Sequence, residues 1–443
     1  WHAETSAAKR LRRLLDAPLP WKIQTAKAIE WIEPRLGIAL SPTQREAIAR
    51  VLDSKVSVIT GGPGVGKTTI IKAVVEIVEA KKKEIELAAP TGRAAKRLSE
   101  ATGRGARTIH RLLEIDPKSG EFQRNELSPL ACDLVIVDEA SMIDVPLLDA
   151  LVRAVPQHAA LLFVGDADQL PSVGPGQTLS DLIACGVFAV SELREIHRQA
   201  AGSRIVVNAH RVNQGEPPLT PAAEEESDFY VVDAADGASA REKIVRLLAE
   251  RIPTKFGLDP RADVQVLSPM HRGDAGVSSL NAALQAALNP RSALAPRFER
   301  AGSILAPGDK VMQTENDYDK DVFNGDLGVV RSVDVQNRTA VIDFDGRAVE
   351  YEAAELDAIA LAWATTIHKS QGSEYPAVVI ALLTEQAIML QRNLLYTAIT
   401  RGRKLVVLVG QKKAIAMAVR NASARRRYSK LRERLARPSP LAP

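Results

Sequence analysis

The stretch Ser57–Ile70, SVITGGPGVGKTTI, constrains this chain more than any other. A short apolar run, VSVIT (56–60), reads as a buried strand. After it comes a loop that matches G-x-x-x-x-G-K-[ST] from Gly61 to Thr68, and then a helical stretch over 69–83. Glycines let backbone N–H groups close around phosphate oxygens that side chains would block, and the following helix offers its positive N-terminus to the same anion. Gly62, Pro63, Gly64, Val65, Gly66, Lys67, Thr68 and Thr69 therefore form a candidate cradle for the phosphates of ATP. Lys67 is placed to reach the β- and γ-phosphates, and Thr68 is a candidate Mg²⁺ ligand. The alternative is a chance glycine-rich turn, and the strand before it and the helix after it argue against that.

A strand–loop–helix unit of this kind belongs in a parallel sheet. Further apolar runs too short for helices follow at IELAA (85–89), LVIVD (134–138) and LLFVG (161–165), with a helical stretch at 93–101. The pattern resumes with VQVLS (264–268), AVVIA (377–381) and LVVLVG (405–410). Alternating β and α elements imply parallel sheets covered on both faces, and two α/β blocks are the simplest account. The acidic segment AAEEESD (222–228) reads as an exposed connector. Residues 1–40 place Ala7, Leu11, Leu14, Ile29, Ile32 and Leu36 at helical spacing and are punctuated by Pro18, Pro20 and Pro34, as expected of an N-terminal linker region. Residues 112–127 put DPKSG between two strand-like runs, a hairpin signal. Residues 300–355 are short β runs with Asn324-Gly325 and Asp345-Gly346 turns, an all-β insertion of sandwich or barrel type.

LVIVDEAS supplies the second half of a nucleotide site. Asp138 ends an apolar run and can coordinate Mg²⁺, while Glu139 can orient and deprotonate the attacking water. Adjacent carboxylates at a strand end point in different directions, so one residue need not perform both tasks.

Composition narrows the remaining classes. The length of 443 residues suggests about three domains. Only Cys132 and Cys185 are present, too few for a disulfide framework or a cysteine zinc cluster, and this fits the cytoplasm. No run of about 18 apolar residues exists, so no membrane partner is expected. The first residue is Trp rather than Met, which suggests a piece of a longer protein. The net charge of +4 hides an asymmetry: residues 401–437 carry 13 Lys/Arg and one acid, Glu433. A basic end on an otherwise acidic body suits a polyanion, or else is a solvated helix and tail.

GGPGVGKTT, LVIVDEAS, VGDADQLPSVGPG, TTIHKSQGSEY and LLYTAITRGRKLVVLVG together resemble the ordered motifs of superfamily 1 helicases, and more closely those of RecD-like DNA helicases, over about residues 40–410. The resemblance implies an ATP-dependent helicase that translocates 5′ to 3′ on single-stranded DNA. The fold it implies is α/β: two RecA-like P-loop domains with parallel sheets, a β-hairpin insertion in the first and a small β-barrel insertion in the second. The expected boundaries are 1–39 for the helical N-terminal region and 40–195 for the first RecA-like domain, with a pin at about 104–130. The second RecA-like domain is expected over 196–299 and 356–437, the β insertion over 300–355, and a tail over 438–443.

The resemblance also assigns residues one by one. Gln44, in SPTQREAI, matches the adenine reader, and Gln169, in GDADQLPS, matches the residue linking the γ-phosphate to the DNA path. Arg198, in EIHRQ, and Arg401, in AITRGR, match arginines that reach ATP from across the cleft between the two domains. Gln371 and Gly372, in HKSQGSE, match the segment coupling nucleotide state to DNA grip. Thr91 and Arg93, in APTGRAAKR, His110, in RTIHRLL, and Thr366 and His368, in TTIHKSQG, match positions that approach the strand. Read alone, each has a plainer alternative: a helix cap for Thr91, a satisfied core ring for the histidines, a loop amide for Gln169, an ion pair for the arginines. The implied partners are single-stranded DNA and forks of single- and double-stranded DNA, met by a monomeric motor. Two other readings remain open: the helicase portion of a conjugative relaxase, and a nucleotide-switched nucleic-acid-binding scaffold without unwinding activity.

Overall fold

The computed structural model describes residues 1–116, 119–195, 202–222, 225–290, 296–300, 303–317, 319–422 and 427–436. The chain divides into two compact units, one of residues 1–200 with 425–443 and one of residues 201–424.

The first unit is built on a six-stranded sheet of β1 (Val56–Gly61), β2 (Ile85–Ala89), β3 (Ala106–Thr108), β4 (Leu134–Val137), β5 (Ala160–Gly165) and β6 (Ala189–Leu193). The spatial order is β3-β2-β4-β5-β1-β6 and every pairing is parallel. Side chains alternate between two cores, as the period of two demands. Val58, Val135, Val137, Leu161 and Phe163 face one, while Ile59, Leu134, Ile136, Leu162 and Val164 face the other. Helices α1 (His2–Leu15), α6 (Ile109–Leu112), α7 (Val145–Ala154) and α8 (Thr178–Ala184) cover the first face. Helices α2 (Thr25–Leu36), α3 (Pro42–Asp53), α4 (Lys67–Glu79) and α5 (Gly92–Thr102) contribute to the second.

Two segments sit differently from the boundaries expected of the sequence. Residues 1–39 are not a separate linker, because Ala7, Leu11 and Leu14 of α1 and Ile29 and Ile32 of α2 are buried in the first unit's two cores. The basic C-terminal end does not stay with the second α/β block through residue 437. Its helix, Leu431–Ala436, buries Leu431 and Leu435 completely against α1 and α8. Arg427 donates to the Gly174 and Gly176 carbonyls, Arg434 lies 3.4 Å from Glu4, and Ser429 donates to Asp181 at 2.9 Å. This part of the charge run is thus a docked strap, held by two leucines at i, i+4 spacing.

The expected hairpin at 112–127 is reduced. One antiparallel bridge, Ile115–Phe122, replaces two strands, and Pro117 and Lys118 lie outside the described residues. Asp116 N–H donates to the Glu121 carbonyl and Gln123 N–H to the Glu114 carbonyl. Phe122 packs on the core, while Leu127 is almost fully exposed.

In the second unit a five-stranded parallel sheet has the order β16-β8-β17-β18-β7, from β7 (Phe229–Asp233), β8 (Val264–Ser268), β16 (Ala364–Thr366), β17 (Tyr375–Leu382) and β18 (Gly402–Gly410). Inserted between β8 and β16 are a two-stranded ribbon, β9 (Phe298–Arg300) with β10 (Ser303–Leu305), and an antiparallel sheet of order β14-β13-β12-β11-β15. That sheet comprises β11 (Lys310–Gln313), β12 (Leu327–Asp334), β13 (Thr339–Phe344), β14 (Arg347–Glu352) and β15 (Ile359–Leu361), so it runs slightly past the expected 355. The β13–β14 turn is Asp345-Gly346 with φ of 53° and 88°, positive at both positions as a tight hairpin turn requires. Val311, Val330, Ile342 and Tyr351 fill its own small core.

Candidate functional site

The phosphate loop joins β1 to α4. Gly64 (φ 73°) and Gly66 (φ 83°, the N-cap of α4) adopt left-handed conformations that side-chain-bearing residues resist. Lys67 Nζ donates to the Gly61 carbonyl at 2.6 Å and the Gly62 carbonyl at 2.9 Å, which holds the ammonium over the loop. Thr68 is exposed beside it, and Val65 is buried in the core beneath. Gln44, on α3, is buried rather than on a helix surface. Its carbonyl accepts from Ser41 N–H at 3.0 Å, in a reciprocal capping box, and its amide lies 3.4 Å from the Val65 carbonyl. The adenine-reader candidate is therefore attached to the phosphate loop itself.

Asp138 and Glu139 follow β4, one strand from β5 and two from β1. Burial and the neighbouring Glu139 push the Asp138 carboxyl above its ordinary value, opposed by a hydrogen bond from Glu139 N–H and by the positive charges of Lys67 and Arg97. Glu139 has φ 51° and ψ 39°, a left-handed conformation that is strained for a residue with a side chain. Arg97, from α5, approaches its carboxylate at 3.9 Å. Gln169 lies just past β5, the strand between β4 and β1. Its amide donates to Asp166 at 3.2 Å, and Asp166 is buried there. Thr60, on β1, accepts from Ala167 N–H at 3.3 Å and ties that loop to the phosphate loop's strand. Asp166 and Arg97 were not singled out in the sequence. GDADQ carries the first, whereas nothing local marks the second, whose approach to Glu139 arises from α5 packing on β2, the strand next to β4.

The chemistry of this set fits a hard divalent cation. Among the described residues no group of three or more His, Cys, Asp or Glu side chains could hold a metal ion. Mg²⁺, however, is held by one or two protein oxygens together with substrate phosphates and water, and the Thr68 hydroxyl and Asp138 carboxylate are chemically suited candidates for that part.

The strand-facing candidates of the first unit follow the next strands along. Thr91 follows β2 and caps α5, its hydroxyl accepting from Ala94 N–H at 3.3 Å, and Arg93 stands in the same first turn. His110 lies on α6 after β3, half-buried, with its ring 5.7 Å from that of Phe122. Burial pulls its pKa down, against the opposing pull of Asp144.

In the second unit Thr366 ends β16, and its hydroxyl accepts from Lys369 N–H at 3.2 Å. His368 occupies the short turn that follows. Arg401 is held in place by three neutral oxygens: Nε donates to the Thr397 carbonyl at 3.2 Å, Nη1 to the Ser373 carbonyl at 3.0 Å, and Nη2 to the Thr400 hydroxyl at 3.2 Å. The structure thus joins Arg401 to the Gln371-Gly372-Ser373 segment at the beginnings of β17 and β18. Thr366 lies instead at the C-terminal end of its strand, opposite Ser268. Arg198 lies outside the described residues.

Three family models match the chain: an AAA domain over residues 44–175, an ATP-dependent RecD-like DNA helicase SH3 domain over 280–344, and a UvrD-like helicase C-terminal domain over 361–409. The chain is 38% identical over 417 residues to the ATP-dependent RecD2 DNA helicase of Deinococcus radiodurans, covering 94% of this chain and 55% of that protein. It is 33% identical over 432 residues to the RecBCD enzyme subunit RecD of Mycobacterium tuberculosis, covering 88% of this chain and 72% of that one. It thus spans little more than half of the first relative and nearly three quarters of the second. A crystal structure of Pif1 helicase from Bacteroides in complex with ADP-AlF3 and single-stranded DNA shares the fold, with a TM-score of 0.51, 20% identity, and coverage of 84% of this chain and 92% of that one.

Proposed function

The chain belongs to the RecD-like DNA helicases, and from that premise we propose that it is an ATP-driven cytoplasmic motor that moves 5′ to 3′ on single-stranded DNA and parts the duplex ahead of it. The observation that carries this reading is the placing of Lys67, Asp138, Glu139 and Gln169 at the C-terminal ends of three adjacent parallel strands, β1, β5 and β4. Ligands of open parallel sheets bind at that edge.

Each residue has a task its chemistry suits. The loop N–H groups and the Lys67 ammonium hold phosphate oxygens, and the buried Gln44 amide positions the loop from below. Glu139 accepts the proton of the attacking water, from a left-handed backbone position directly after Asp138. Thr68 and Asp138 would hold Mg²⁺, which supplies positive charge to the phosphate oxygens when bound. Gln169, anchored on Asp166, senses the phosphate and lies between the nucleotide strand β1 and the strands that carry Thr91 and Arg93. For Arg401 to meet a phosphate, its guanidinium exchanges the oxygens of Thr397, Thr400 and Ser373 for phosphate oxygens. That exchange moves the Gln371-Gly372 segment with it. His110, packed on Phe122, anchors the reduced hairpin that meets the fork.

Strand displacement with ATP on duplexes carrying a 5′ or a 3′ single-stranded tail tests the proposal. Displacement is expected with the 5′ tail. Displacement with the 3′ tail alone would reverse the polarity. ATP hydrolysis that DNA does not stimulate, with neither duplex opened, would leave a nucleotide-switched binding protein.

A further inference from the structure

None of the residues discussed above lines a cavity of about 360 Å³ in the second unit. It opens where the helix Gly237–Arg246, the wide π-helical turn Leu247–Arg251 and the helix Ile252–Phe256 cover the edge strand β7 and its neighbour β18. Its floor is apolar, and two rings, Tyr230 and Phe256, meet edge-on in its wall with centroids 6.0 Å apart. Four cations stand around it, Lys243, Arg246, Arg251 and Lys255, and no acidic residue lines it.

These cations are poorly neutralised. Arg246 pairs with Glu250 at 3.2 Å, but both side chains are largely exposed, where such a pair contributes little. Lys243 donates to the Asp233 carbonyl. Lys255 lies 5.2 Å and 5.5 Å from the centroids of Tyr230 and Phe256 and 3.5 Å from the Tyr230 hydroxyl. Among the described residues Lys243, Arg251 and Lys255 make no ion pair. A rim of like charges around aromatic walls repels itself and attracts an anion that carries a flat apolar body. The π-helical turn, a rare distortion that is frequent at functional sites, brings Leu247 and Arg251 to the same opening.

We propose that this cavity is an accessory subsite for single-stranded nucleic acid, taking one base against Tyr230 and Phe256 and the flanking phosphates on Lys243, Arg251 and Lys255. An acidic peptide would meet the same charges, but the ring-walled floor suits a base. The cation row also has the reach of a strand: from residue 243 to residue 255 the helical path rises about 18 Å, at about 1.5 Å per residue. That length is enough to meet more than one backbone phosphate of a single strand. The inference rests on the reading of the chain as a DNA motor.

The test uses the full chain and an oligo(dT) carrying one 5-iodo-deoxyuridine, photocrosslinked and mapped by mass spectrometry. Alongside it, DNA binding is titrated over a salt series for the wild type and for the double variant Arg251→Gln, Lys255→Gln. Both side chains are exposed, and thermal unfolding checks that the variant folds. A crosslink on Tyr230 or Phe256 is expected. The slope of log K against log salt should shrink by about 1.4, two contacts at about 0.7 each on single strands. ATPase activity at saturating DNA should stay within about twofold. An unchanged slope with no crosslink in 229–256, while DNA still stimulates hydrolysis, overturns the subsite and leaves the motor reading standing. Loss of the crosslink to equal-charge poly-glutamate, with the slope unchanged, assigns the cavity to an acidic peptide and also overturns it. Absence of any DNA binding or stimulation removes the motor reading, and the subsite with it.

Discussion

Glu139 offers the sharpest test of how backbone geometry and chemistry are joined in this site. It leaves β4 in the left-handed region, φ 51° and ψ 39°. Holding a residue with a side chain there costs about 1–2 kcal/mol relative to glycine. Replacing it with glycine removes that strain but adds about 0.4–1 kcal/mol of unfolded-chain entropy. Glu139→Gly should therefore be more stable than Glu139→Ala by about 0.5–1 kcal/mol. Both variants lose the approach to Arg97 equally, so that contact cancels in the comparison. With a urea dependence of roughly 2–3 kcal/mol per molar, the midpoints should differ by roughly 0.2–0.4 M. The assay is urea unfolding followed by far-ultraviolet circular dichroism. Glu139→Gln keeps the shape but not the base, and its ATP turnover should fall by about 10²–10⁴ while nucleotide still binds. If the alanine variant equals or exceeds the glycine variant in stability, the strain is not there.

Other perturbations separate the remaining parts. Arg401→Ala should still bind ATP but lose hydrolysis and unwinding, and Arg401→Lys should not restore them, because an ammonium cannot reproduce the planar fork that meets Thr397, Thr400 and Ser373; unchanged turnover in a radiolabelled-phosphate assay would refute the role. Leu435→Ala empties a fully buried position between α1 and α8 and should destabilise the first unit by about 2.7–5 kcal/mol in chemical denaturation, whereas a loss below about 0.5 kcal/mol would mean that the strap is not docked. Asp138→Asn carries a pH signature. With its carboxyl raised by burial and by Glu139, the folded state holds this proton more tightly than the unfolded state, so its contribution to stability is full at low pH and is lost as pH rises through the raised value. Relative to the wild type, the asparagine variant should therefore gain stability between about pH 4 and pH 7, and a pH-independent difference would remove the shift.

The parts of this molecule that a reader could take from the sequence are those whose cause is local. GGPGVGKT specifies its own turn because Gly64 and Gly66 must be left-handed, and VSVIT, IELAA and LVIVD are strands because both of their faces are buried. The short edge segments were not legible. ART (β3), AVSEL (β6) and ATT (β16) carry no sustained apolar run and exist as strands only through pairing with β2, β1 and β8. FYVVD (β7) has the composition of a strand, but it directly follows the acidic connector and nothing local sets it apart from that exposed segment. Residues 427–436 announced themselves by charge, yet two leucines decide where they pack. Although its burial against Val65 is tertiary, the bond of Gln44 to Ser41 was readable in principle, because Ser41-Pro-Thr-Gln44 contains the capping-box spacing. The contacts of Arg401 were not, since they depend on Ser373 being brought beside Thr397 by neighbouring strands.

The strand order explains why a chain so arranged can couple two ligands through short distances. Sequence order scatters the candidate residues of the first unit over more than a hundred positions, but the sheet sorts them by the ligand proposed for each. β1 ends in the phosphate loop, β5 in Asp166 and Gln169, β4 in Asp138 and Glu139, β2 in Thr91 and Arg93, and β3 leads to His110 and the hairpin. At about 4.8 Å per strand, Gln169 stands one step from the phosphate loop and two steps from Thr91. Glu139 stands between them. A change at the phosphate thus has only to shift Gln169 on its Asp166 anchor to reach the strand-facing edge, with no long relay through the core. The Thr60–Ala167 hydrogen bond already spans the step from β1 to β5, and Arg97, on α5 with Arg93, approaches Glu139 and so spans the step from β2 to β4. Breaking either bridge should therefore weaken the stimulation of ATP hydrolysis by DNA more than hydrolysis itself.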